Sequence, residues 1–364
     1  KAILIRQNYS SATISNVIFN TNDIAIENLA GNKQLSLTNV TIDENGGEII
    51  SKASMNIASS NILSTIGNYS ALTITGTNSF GTINNYSGTT TLSGGATVSI
   101  LNLTNASTFT SGSETTGATL TLENVNNTGT ITLYGTTNLT SNIIGGGKLN
   151  MFGTVNLSGV IAEQQAVTVS AILNMLENSA LTLSANDKWS ANSTINLKGG
   201  ILTYSLSGAN ADSSILNAQS GEFTLESGTL NLATGSVITE TVLANLNDGT
   251  LNINGGSITL SDTDSWTSTA VNLNNGTFVY GLTSNGKIVT TGGELEVRES
   301  ASLTLLSGSS IATATSVNLQ GGLVISGGNV VLDSLDTWTG LITANSGAFT
   351  YNGDATNKLE ITKN

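Results

Sequence analysis

The chain has 364 residues, 24 acidic and 11 basic, for a formal charge of −13; about half of it is Ser, Thr, Asn or Gly, and Cys, His and Pro are absent. That composition excludes a disulfide framework, a thiolate metal site and any imidazole base, nucleophile or ligand. With only Arg6 and Arg298 as arginines there is no basic stripe for nucleic acid, and no apolar run reaches the roughly 18 residues of a membrane span.

Disorder is the first alternative for so polar a chain. Against it, 38% of residues are hydrophobic, mostly Leu, Ile and Val, and they alternate with Thr, Ser and Asn. Ala118 to Glu123 (ATLTLE) shows the alternation of half-buried strands, with Gly and Asn as turn punctuation. The best helical stretch, 161–177, still has a Val-Thr-Val centre that reads as strand. Further along, Leu181 to Trp189, Ile258 to Trp266 and Val330 to Trp338 match one another, each closing on its tryptophan. Each is followed by a Gly-to-Tyr stretch ending at Tyr204, Tyr280 or Tyr351, and a third marker recurs at Gly147, Gly221 and Gly293. These markers define a long repeat, of about 72–77 residues, that fills 147–364.

A finer pattern, apolar–x–x–Gly–x–apolar, starts at Leu197, Leu225, Leu246, Leu273 and Leu319. Its mean step of about 24 residues predicts an all-β chain folded as a parallel β-helix, or β-solenoid, of roughly 15 coils, with three coils per repeat and those five leucines in one core column. A propeller needs blades of ~40–50 residues and an immunoglobulin array ~100-residue domains. Pro would remove a ladder donor in every coil, Gly and Asn suit left-handed corners, and stacked Asn and Thr can bond between coils. Residues 1–364 read as one elongated solenoid segment of a longer protein, because both ends look cut.

Strings such as Leu251 to Leu260 (LNINGGSITL) and Val317 to Ser326 (VNLQGGLVIS) resemble bacterial autotransporter passengers and other large repetitive surface adhesins. The resemblance covers essentially the whole chain and rests on composition and period. It implies a right-handed parallel β-helix outside the cell, at the bacterial surface. The lack of Cys fits that family; a recognisable secretion domain is missing from the segment, which leaves the route open.

Paired carboxylates could cleave a glycosidic bond, and Asp262 with Asp264, or Asp333 with Asp336, are the candidates for a β-helical lyase or hydrolase. Asp187, Asp264 and Asp336 are repeat-equivalent, however, which suits a turn former better than a single active site. No catalytic, metal or cofactor site is therefore expected. The binding candidates are Trp189, Trp266 and Trp338, which could stack on glycan rings along one line or instead fill core corners. The Asn-x-Ser/Thr sequons, Asn39 and Asn85 among them, carry no expected function. The expected role is a stalk or binding region of an adhesin that attaches through shallow multivalent contacts to host or neighbouring-cell surfaces, their glycans included. Self-association into an external layer, sheath or filament is the alternative.

Overall fold

The computed structural model describes residues 3–5, 11–20, 23–29, 34–162, 164–183, 187–189, 194–204, 221–233, 237–238, 242–246, 249–260, 264–266, 269–280, 288–289, 294–297, 301–306, 309–311, 315–319, 321–333, 336–338 and 341–352. Among them there is no helix. Short strands pair in parallel, each with its equivalent one coil on, as a β-solenoid requires. Packing divides the chain into two compact units, Lys1–Asn174 and Met175–Asn364.

In the first unit the pairings sort into three sides. Ile26, Ile49, Ile66, Ile83, Leu103, Val125 and Ile143 stack in register on the first side, and all are buried. Leu72, Thr90, Phe109, Ile131, Leu149 and Val167 stack on the second. The third carries Val98, Leu120, Thr137 and Val155. Alternation is the cause. In Thr154–Leu157, Val155 and Leu157 point inward while Thr154 and Asn156 meet water. Each buried aliphatic side chain contributes about 1.5–3 kcal/mol relative to exposure, so the core is a column rather than a centre. The stretch at 161–177 is two strands, Ala166–Val169 and Ile172–Met175, as its Val-Thr-Val centre indicated.

The corner between the second and third sides is left-handed in coil after coil. Asn16, Asn39, Ser59, Gly76, Gly95, Gly112 and Gly135 all occupy it with φ between 48° and 86°. Asn39 also donates from Nδ2 to Oδ1 of Asn16 at 2.7 Å. Only Gly takes this conformation without steric cost, and Asn is the next best residue. Ser59, with φ 48°, is the misfit. Ser59→Gly is expected to raise stability by about 0.5–1 kcal/mol, and Gly76→Val to lower it, both measurable by urea unfolding.

Corner length sets coil length. The same corner is Asn39 alone in one coil but the whole of 112–117 in another. The other corners vary too: the first-side step is longer from Ile26 to Ile49, the coil that holds Asn39, than from Ile49 to Ile66 or from Ile66 to Ile83. Neither an even step nor the coil number drawn from it holds.

Just past the first-side column runs a buried amide ladder. Asn68 donates from Nδ2 to Oδ1 of Asn85 (2.9 Å), Asn85 to Asn105 (2.7 Å), Asn105 to Asn127 (2.9 Å), and Asn127 to Oε1 of Gln165 (2.9 Å). The second N–H of Asn85, Asn105 and Asn127 goes to the backbone carbonyl of Thr108, Thr130 and Lys148 respectively. The coil between Asn127 and Gln165 lacks a rung, and the longer glutamine spans the gap, its Nε2 also donating to the carbonyls of Asn127 and Ile144. Part-buried ladders run outside the core as well, Asn174–Asn156–Asn138 in this unit and Asn272–Asn252–Asn231 in the second.

In the second unit the five leucines do not share one column. Leu197, Leu225 and Leu246 are in register and lead to Trp266. Leu273 and Leu319 lie on the next side, in the column Leu232, Ile253, Leu273, Val297, Leu319, Trp338. The Gly-centred pattern marks a corner, and corners of this kind recur more than once per coil. Leu246 and Leu251 flank one; Leu273 and Phe278 flank the next. The long repeat is correspondingly not three coils. From Trp266 to Trp338 the chain traverses ten sides, three coils and one side over. Equivalent residues therefore step round: Tyr204 is on the side of Leu232, Tyr280 on that of Leu260, and Tyr351 on that of Leu332.

Candidate functional site

Trp266, offered by the sequence as a glycan contact, is 1% exposed and presents no face to solvent. Its ring meets Phe278 edge-on, centroids 5.4 Å apart at 66°, and Nε1 donates to the Thr269 carbonyl at 3.0 Å. Trp338 repeats the packing with Phe349 at 5.2 Å and 66°, and is half-buried. Trp189 lies in the strand Lys188–Trp189, and its side chain is outside the described residues. A single line of stacking tryptophans is thus ruled out, since Trp266 fills the core and Trp338 occupies a different side.

The repeated aspartates serve the backbone. Asp264 accepts the Ala244 N–H at 2.7 Å, and Asp336 accepts that of Val317 at 2.8 Å, each bond reaching one coil back. Each carboxylate thus takes over a ladder bond just before its tryptophan. Asp187 is buried as well. Asp262 and the Asp333 side chain lie outside the described residues.

An aromatic pair on the first unit is absent from the candidates that the sequence offers. Tyr69 and Tyr86 sit one coil apart at the corner after the amide ladder, each 43% exposed, with ring centroids 4.7 Å apart at 25°. Their backbone N–H groups donate to the carbonyls of Ser51 and Asn68, so the ladder fixes where the rings begin. Beneath them, in the first-side strand next to Ile66, lies Gly67. A Cβ there would stand 3.6 Å from Cε2 of both rings and 3.1 Å from Oε1 of Glu48. Two rings and a carboxylate therefore converge over one glycine, which is itself buried. Burial also raises the Glu48 pKa above the usual carboxylate value. A second pair, Tyr134 and Phe152, stacks at 5.2 Å and 16° at the corner after the second side.

The signal is present in the chain as the tripeptide Asn-Tyr-Ser at 68–70 and again at 85–87, one coil apart. Asn85 reads from sequence only as a sequon; its amide is in the ladder and 1% exposed, out of reach of modification. Chemically the arrangement offers flat apolar faces and a hydrogen-bond acceptor at a shallow surface, which suits binding. No protein-family model matches the chain, and no curated protein matches it in sequence.

Proposed function

We propose that the chain is an extracellular binding region of a bacterial surface adhesin, attaching to host or neighbouring-cell surfaces by shallow contacts. The observation that carries this reading is the stacked, half-exposed Tyr69–Tyr86 pair beside outward Thr, Ser and Asn columns. Such a surface is hydrated and weakly charged, and its contacts gain strength by repetition. A non-catalytic role agrees with Asp264 and Asp336 being committed to backbone N–H groups. A parallel solenoid suits an exposed setting without disulfides, because every added coil pairs its backbone with the coil before it.

The test is adhesion of beads coated with residues 1–364 to bacterial and epithelial cells. Retention well above albumin-coated beads is expected. Equal retention would reject the reading, and spontaneous growth of ordered sheets or filaments by the purified chain would replace it with a structural layer.

A further inference from the structure

Tyr69 and Tyr86 are not required by the corner they occupy. The same corner, with the same backbone hydrogen bond to the coil before, holds Lys52 below them and Ala106 and Thr128 above. The fold tolerates a cation, a methyl or a hydroxyl there, so two adjacent rings left 43% exposed call for another explanation. Their faces are also usable. Tyr69 stacks on one face of Tyr86, and the next corner residue is Ala106, whose methyl leaves the other face open. Beside the rings, the outward column Ile50, Gly67, Asn84 passes beneath them, and the glycine is covered by both rings and by Glu48. Among the described residues no hydrogen bond or ion pair engages the half-buried Glu48 carboxylate, which lies over Gly67 beside the rings.

We propose that Tyr86, Tyr69 and Glu48, seated on Gly67, form a subsite for one or two pyranose rings of a neutral oligosaccharide. It rests on the adhesin reading only for its biological setting. The C–H face of a sugar stacks on an aromatic ring, and the carboxylate accepts from its hydroxyls, as an ionised acceptor does strongly. Gly67, lacking a side chain, lets the two rings and the carboxylate settle together on the sheet. Charge chooses among glycans: a carboxylate at the site and a net charge of −13 oppose sialylated or uronic chains. An ammonium ligand is not favoured either, because the two rings face each other and do not wall a box around a cation.

Saturation-transfer NMR on residues 1–364 tests this with cellohexaose, maltohexaose, lacto-N-neotetraose and, as the charged arm, 3′-sialyllactose. At least one neutral oligosaccharide is expected to bind. Tyr86→Ala should weaken it about tenfold and Glu48→Gln about fivefold or more, with Tyr134→Ala unchanged. Because Glu48→Gln alters a surface group, an unchanged urea midpoint will separate lost binding from lost fold. No transfer to any neutral sugar at millimolar concentration, equal binding of 3′-sialyllactose, or full binding by Tyr86→Ala would each overturn the subsite. Bead adhesion that persists under those results leaves the adhesin reading standing; sugar binding without bead adhesion does the reverse.

Discussion

Replacing Asn105 by leucine is expected to lower the unfolding free energy by about 3–5 kcal/mol, the sum of several buried polar groups losing partners at about 1–3 kcal/mol each. Asn105 is fully buried; it accepts from Asn85 and donates to Asn127 and to the carbonyl of Thr130. Leucine fills most of the volume but leaves the Asn127 oxygen without its donor and one Asn85 N–H without its acceptor. Urea unfolding followed by far-ultraviolet circular dichroism measures the loss, and a change below about 1 kcal/mol would contradict a continuous ladder.

Asn105→Asp is the sharper variant. At neutral pH it sets a carboxylate oxygen against Oδ1 of Asn127, with no donor between them. Burial and that repulsion would hold its folded pKa above its unfolded value. The charged form is then the one penalised in the fold. The destabilisation is therefore full above the folded pKa and shrinks as pH falls through it, when the protonated carboxyl can donate again. A urea midpoint for Asn105→Asp, relative to the parent chain, that failed to recover on acidification would count against this placement.

Trp266→Ala is expected to cost about 3–5 kcal/mol, the usual range for deleting a buried aromatic side chain. The hole opens beneath Phe278, and the Thr269 carbonyl loses its donor. Trp266→Phe restores most of the packing but not that hydrogen bond, so it should fall between the parent and the alanine variant. Asp264→Ala tests the neighbouring strut. It leaves the buried N–H of Ala244 unpaired, at about 1–3 kcal/mol. If Trp266→Ala unfolded at the parent's urea concentration, Trp266 would have to be outside the core.

The solenoid itself was legible because its rules are local. Alternation fixed which residues of Thr154–Leu157 turn inward, and Asn and Gly at 16, 39, 76 and 95 announced left-handed corners. Coil length was not legible, since one Gly-centred signature serves more than one corner. The step from Leu246 to Leu273 therefore mixes a full coil with one further side. A longer, even step also hides the Tyr69–Tyr86 pair, because the coil that joins Asn68 to Asn85 is so short. The burial of Trp266 depends on Phe278, further along the chain and two sides round, and no short motif encodes that meeting. Alternation says that a side chain faces inward or outward; it does not say what it will find there.

The ten-side repeat has a consequence for how such a chain can grow. Duplication of the stretch from Trp266 to Trp338 would insert three coils and one side, so everything beyond the insertion would swing by a third of a turn about the local solenoid axis. Three duplications would bring it back to its first bearing. A patch carried by the repeat is thus copied to three azimuths in succession, as Tyr204, Tyr280 and Tyr351 already are. Copy number would then control direction as well as length: a partner approaching from any bearing would meet one copy in every three, and loss of a single repeat would re-aim all that follows.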